Sequence, residues 1–168
     1  MNEVAQAYDN SVTQEVTEHL FEEPGKDFGL DLASLNLQRA REHGVPSYNR
    51  FRESCGLMPL LTWQEMYGTF NNQTVNGYRK YYASPEDIDL WSAGVSEKPH
   101  PGSLIGPTFG CIMGRQFHDL KFGDRFFYEN GGWPSSFTVE QLNEIRKIKL
   151  SRIVCDNTDE IDTIQVLG

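Results

Sequence analysis

The sequence predicts a mainly α fold, and three observations carry that reading. Apolar residues recur at three- and four-residue spacing in several windows. Ser or Thr followed three residues later by an acid or amide opens three of the candidate segments, and Gly or Pro closes others. At 168 residues the chain has the length of one domain, without internal repeats or low-complexity tracts.

Taken in order, residues 11–21 place Val12, Val16, His19 and Leu20 on a helical period, and EEPGKDFG then breaks the pattern. Asp31 suits an N-cap for a helix that runs to about Gly44, a natural C-terminal stop. Pro46 can start a short helix through SYNRFRESC. Thr62 with Glu65 is a capping-box pattern for a helix over 62–70, and Ser84 with Asp87 repeats it before DLW. Residues 92–101 read as loop. Leu104, Ile105, Phe109, Ile112, Met113 and Phe117 form the apolar stripe of a long helix. KFGDRFFYENGGWP reads as irregular, with a short strand at 125–128. Thr138 with Gln141 opens the last clear helix, through Leu142, Ile145 and Ile148.

Charge excludes one function class. The formal net charge is −9, with acid concentrated at both ends, so the clustered Lys and Arg of a nucleic-acid footprint are missing. No window is apolar for long enough to span a bilayer, and MNEVAQAYDNSVTQEV lacks the basic and apolar regions of a signal peptide. Cys55, Cys111 and Cys155 have no metal-type spacing, and their odd number leaves at least one unpaired within the chain. The aromatic stretch of Trp63, Tyr67, Phe70, Tyr78, Tyr81 and Tyr82 reads as packing.

The helix LASLNLQRAREHG carries the pattern most in need of explanation. Asn36 and Arg39 share a face with Leu32 and Leu35, and His43 lies a further turn along. An amide and a guanidinium on a part-apolar face need partners from outside the helix. On spacing alone, a carboxylate for Arg39 and a backbone group for Asn36 are the ordinary solution, and a bound anionic cofactor is the other.

The surrounding residues are similar to a known family. DLASLNLQRAREHGVPSYNRFRESCGL, then DIDLWSAGVSE, then PGSLIGPTFGCIMGRQFHDLKFGDRFFYEN, then LSRIVCDNT resemble, in that order, segments of the animal haem peroxidase superfamily. The resemblance covers about residues 16–159. It implies the C-terminal portion of the animal haem-dependent peroxidase fold, so residues 1–168 are expected to be a partial peroxidase domain. It implies a haem cofactor, with hydrogen peroxide driving oxidation of phenols, tyrosyl groups or halides. Asn36 would accept a hydrogen bond from the histidine that ligates haem iron, fixing its tautomer, and Arg39 would contact a haem propionate. The chain would thus supply the proximal wall of the haem site.

The same resemblance sets limits. The family's distal histidine and arginine and its proximal histidine lie upstream of the LNxQR segment, as do its haem-linking carboxylates and its calcium loop. His19, His43, His100 and His118 do not match those motifs, so no catalytic residue and no metal ligand is assigned within this chain. Haem and the N-terminal part of the domain are the expected partners, together with peroxide and small reductants. Cys55 and Cys111 match a family disulfide, whereas the family partner of Cys155 lies further on. Disulfides imply an oxidising compartment, hence a secreted parent protein, with which the Asn72-Gln73-Thr74 glycosylation sequon agrees. The competing expectation is a noncatalytic peroxidase-like fragment, or a protein used for adhesion or binding.

Overall fold

The computed structural model describes residues 8–159 and 163–164. It forms two compact units, one of them Tyr8–Arg115 and the other containing the described residues from Gln116 onward. The helices are α1 (Gln14–Thr17), α2 (Leu32–Glu42), α3 (Tyr48–Ser54), α4 (Trp63–Thr69), α5 (Asn72–Tyr81), α6 (Leu90–Ser96), α7 (Pro107–Phe122), α8 (Val139–Ile145) and α9 (Leu150–Asp156), with a 3-10 turn at Pro85–Asp87. The described residues hold no strand, and the fold is mainly α.

Local chemistry starts several of these helices. The Asp31 carboxylate accepts the Ala33 N–H and opens α2, which ends where Gly44 takes a positive φ of 65°. Thr62 and Glu65 form a complete capping box at α4, as do Ser84 and Asp87 at the 3-10 turn and Thr138 and Gln141 at α8. The Asn71 side chain accepts the Thr74 N–H and opens α5, a helix where the sequence pattern alone predicts no element.

The first unit packs around Tyr48, Leu60, Met66, Phe70, Val75, Tyr78, Ile88 and Ala93, with Trp63, Tyr67, Tyr82 and Leu90 against them. Three edge-on ring contacts, Tyr48 to Phe70 at 5.6 Å, Phe70 to Tyr78 at 5.9 Å and Tyr78 to Tyr82 at 5.7 Å, run through it. Most of the aromatic stretch is therefore core, although Tyr81 is 81% exposed.

Besides α5, the long helix departs from the sequence expectation, since it starts at Pro107 and leaves Leu104 and Ile105 outside it. Four other elements depart too. The helix expected over 11–21 is confined to α1, because the chain beyond it pairs with 29–30: Gly29 donates to the Glu18 carbonyl, and Leu20 bridges Leu30. Residues 92–96, expected as loop, complete α6; the burial of Ala93 and Gly94 there outweighs the poor helix propensity of Gly and Val. Residues 125–128 make no strand, since Asp124 accepts the Phe126 N–H and Asn130 donates to the Phe127 carbonyl, and both bonds turn the chain. Finally, α8 is not the last helix, because LSRIVCD forms α9.

Candidate functional site

Within the first unit, α2 lies against α6, and a groove of about 390 Å3 opens there. Its lining is Asn36, Arg39, Ala40, His43, Val45 and Trp91. The helical period explains the first four: 36 with 39 and 40, and 39 and 40 with 43, are related by steps of three or four along one face. Val45 enters because the chain reverses at Gly44, and Trp91 because α6 is a helix rather than a loop.

The side chains of Asn36 and Arg39 have no hydrogen-bond or ion-pair partner among the described residues. Asn36 is half-buried and Arg39 exposed, which leaves both to water or to a group from outside the chain. The nearby Asp89 carboxylate goes to another arginine of α2. Arg41 donates from Nε and Nη2 to the two Asp89 oxygens at 2.9 and 2.7 Å, a bidentate fork that also fixes α2 to the start of α6. Asp89 accepts the Tyr82 hydroxyl as well, at 2.7 Å. Arg41 and Tyr82 together hold the Asp89 carboxyl below its ordinary pKa of 3.8.

Behind the groove, a buried polar cluster ties α3, α6 and α7 together. The Glu97 carboxylate is sealed from solvent and accepts the Tyr48 hydroxyl at 2.7 Å, Arg52 Nη1 at 3.0 Å, the Thr108 N–H at 2.8 Å and the Thr108 hydroxyl at 2.8 Å. It sits at the N-terminus of α7, where the helix dipole favours negative charge. Gly106 makes the approach possible, since a Cβ there would collide with the Glu97 side chain. Burial and the Glu97 charge raise the Tyr48 pKa, so the phenol stays protonated and donates.

Other residues singled out in the sequence lie elsewhere. A disulfide joins Cys55, just past α3, to Cys111 on α7, with Cα atoms 6.1 Å apart. Cys155 is a half-buried free thiol on α9. Asn72 is exposed in the first turn of α5. His19 binds Glu22, His100 contacts the Pro101 carbonyl and His118 stacks on Phe122, so His43 alone of the four lines the groove. Among the described residues no group of three His, Cys, Asp or Glu side chains could hold a metal ion. Neither Trp91 nor the Glu97 cluster is legible in a local motif, because the partners of Glu97 lie 11 to 49 residues away and the groove neighbours of Trp91 come from α2 and the chain just after it.

The donor chemistry of the groove fits one side of a haem. A guanidinium and an amide without partners among the described residues stand beside Ala40, Val45 and an indole, which suits a flat apolar group carrying carboxylates. Comparison with known proteins decides the relationship. The family model for the animal haem peroxidase matches residues 1–167. The chain belongs to the animal haem peroxidase family. It is 44% identical to a peroxidasin homolog of Caenorhabditis briggsae over 92% of this chain and 12% of the relative, and 42% identical to thyroid peroxidase of Sus scrofa over 91% and 16%. Among solved structures, peroxidase A from Dictyostelium discoideum superposes with a TM-score of 0.72 and 36% identity, covering 90% of this chain and 28% of the other. The chain thus spans only a minor part of the animal haem peroxidase relatives it matches, and among the described residues no helix is long and apolar enough to cross a membrane.

Proposed function

We propose that this chain is the C-terminal portion of a haem-dependent peroxidase domain and forms the proximal wall of its haem site. The observation that carries the reading is the groove itself: Asn36 and Arg39 line a common space beside Trp91, with no side-chain partner among the described residues. The haem, when bound, supplies the oxidation of phenolic, tyrosyl or halide donors by hydrogen peroxide. Arg39 binds one of its propionates through a charge-assisted hydrogen bond. The Asn36 carbonyl accepts the Nδ1–H of the iron-ligating histidine, which comes from the N-terminal part of the domain, and holds that ring in one tautomer and orientation. A neutral amide in that position leaves the ring less imidazolate-like than a carboxylate would. Distal acid–base residues and the calcium site also belong to that other part. The parent protein is secreted, in keeping with the Cys55–Cys111 disulfide.

Haem binding by this wall is measurable without turnover. Ferric haem is titrated into the 168-residue chain in excess imidazole, which stands in for the histidine ligand, and tryptophan fluorescence reports the approach to Trp91. The expected result is saturable quenching, largely lost in Trp91→Phe. In Arg39→Gln the affinity falls about tenfold, as loss of one charge-assisted hydrogen bond costs roughly 1.5 kcal/mol. Equal quenching of wild type and Arg39→Gln overturns the propionate assignment. No saturable quenching favours the noncatalytic alternative, and a stoichiometric Soret band without imidazole would make His43 a ligand.

A further inference from the structure

A second cavity, of about 360 Å3, shares Ala40 and Val45 with the candidate haem groove. Arg41, Tyr82 and Asp89 also line it. The Tyr82 hydroxyl donates to Asp89 Oδ2 at 2.7 Å, and Arg41 pins both oxygens of that carboxylate. On its other side the Tyr82 ring meets Tyr78 edge-on at 5.7 Å, the outer end of the run of rings that reaches Tyr48. Packing alone requires none of the polar part of this arrangement.

The combination has a chemical meaning. Removing one electron from a phenol makes its O–H a strong acid, so the electron leaves readily only where a base already accepts a hydrogen bond from that O–H. Even a carboxylate stabilised by Arg41 is base enough for an oxidised phenol.

The other tyrosines lack some part of this. Tyr78 shares its hydroxyl hydrogen bond with Ser92, which is no base at neutral pH. Tyr48 has Glu97 but is enclosed in the core. Tyr67 donates to the Asn76 amide and Tyr8 to a backbone carbonyl. Tyr128 has Glu129, yet its ring neighbour is Phe127, which oxidises with far more difficulty than a phenol. Tyr81 is open to solvent and has no hydrogen-bond acceptor among the described residues.

We propose that Tyr82 is a proton-coupled redox tyrosine, giving one electron to a strong one-electron oxidant in the neighbouring groove while its phenolic proton passes to Asp89. The Tyr82 O–H bond breaks, an O–H bond forms on Asp89, the oxidant is reduced by one electron and a neutral phenoxyl radical remains. A phenolic donor in the 360 Å3 cavity returns the electron, Asp89 returns the proton to Tyr82, and the donor releases its own proton to solvent. Tyr82 thereby extends oxidation to donors that never touch the haem. Only the source of the oxidant rests on the peroxidase reading.

The test therefore uses photogenerated tris(bipyridine)ruthenium(III) as oxidant, with the complete 168-residue chain and no haem. Flash photolysis follows the phenoxyl absorption, and electron paramagnetic resonance of frozen samples identifies the radical. Tyr82→Phe, which keeps the ring stacking, is expected to remove most of the early radical signal, and Tyr81→Phe and Tyr128→Phe to retain it. Asp89→Asn should slow radical formation about a hundredfold, the low end of what a positioned proton acceptor contributes. In case that variant is poorly folded, deuterated solvent must slow the reaction in the wild type. An undiminished signal in Tyr82→Phe, an unchanged rate in folded Asp89→Asn, or a wild-type rate insensitive to deuterium overturns the proposal.

Discussion

The Asp89 carboxylate gathers a guanidinium and a phenol, while its main chain bridges Ser47, and the titration of the carboxylate should be visible in stability. Its pKa is depressed in the folded state, chiefly by hydrogen bonding from Arg41. A depressed carboxylate stabilises the fold above its unfolded pKa and loses that contribution as pH falls through the folded value. The denaturant midpoint of the wild type should thus drop as pH falls below about 4, more steeply than in Asp89→Asn. Asp31, Glu129 and Glu140 are depressed as well, so a residual acid slope remains in both proteins. Gly94 offers a prediction of opposite character. Alanine usually improves a helix by up to about 1 kcal/mol over glycine, but a Cβ here would strike the Phe109 ring. Overpacking should win, so Gly94→Ala is expected to destabilise by about 1–3 kcal/mol in urea titrations.

Among the elements, α3, α6 and α7 are held in register by a charge rather than by apolar contact alone. The Arg52–Glu97 pair is buried, with side chains 10% and 0% exposed, and all four of the Glu97 hydrogen bonds are internal. Removing one partner leaves the other charge without compensation, at a cost of about 3–5 kcal/mol, whereas removing both costs less. Chemical denaturation of Arg52→Met, Glu97→Gln and the double variant should show that non-additivity. If the two single losses simply sum in the double variant, the cluster does not act as a unit. Trp91 lies on α6, so the singles should also weaken haem-dependent quenching, although neither residue lines the groove.

At the scale of the molecule, the two units differ in how much apolar surface they bury. The first has an enclosed core and a disulfide that closes a separation of 56 residues, worth about 4 kcal/mol in the chain-entropy model. In Cys55→Ser/Cys111→Ser the denaturation midpoint should fall accordingly. In the second unit Phe117, Leu120, Phe122, Val139, Ile148 and Leu150 are all more than half exposed, and α8 and α9 bury no residue fully. Hydrogen exchange should find the amides of α4 and α5 strongly protected and those of α8 and α9 weakly so. A single cooperative transition with uniform protection across residues 8–159 would contradict that division.

How much of this was legible in advance follows from the range of the interactions. Capping boxes at Thr62, Ser84 and Thr138, the Asp31 cap and the stop at Gly44 act within four residues, so the order and starts of many elements could be read directly. So could the shared face of Asn36 and Arg39, a consequence of helical period, and the family, through long motifs in order. The end of α1, the helical state of residues 92–96 and the missing strand at 125–128 depended on competing local pairings or on burial that pattern does not reveal. By itself the sequence determined a helical chain of the animal haem peroxidase family with a polar pair awaiting partners. Only the tertiary structure decided that Asp89 pairs with Arg41 rather than with Arg39, that Trp91 completes the groove and that the Tyr82 hydroxyl donates to Asp89. Each of the last three joins residues brought together by packing of distant elements or by the turn before α6, which helical periodicity does not encode.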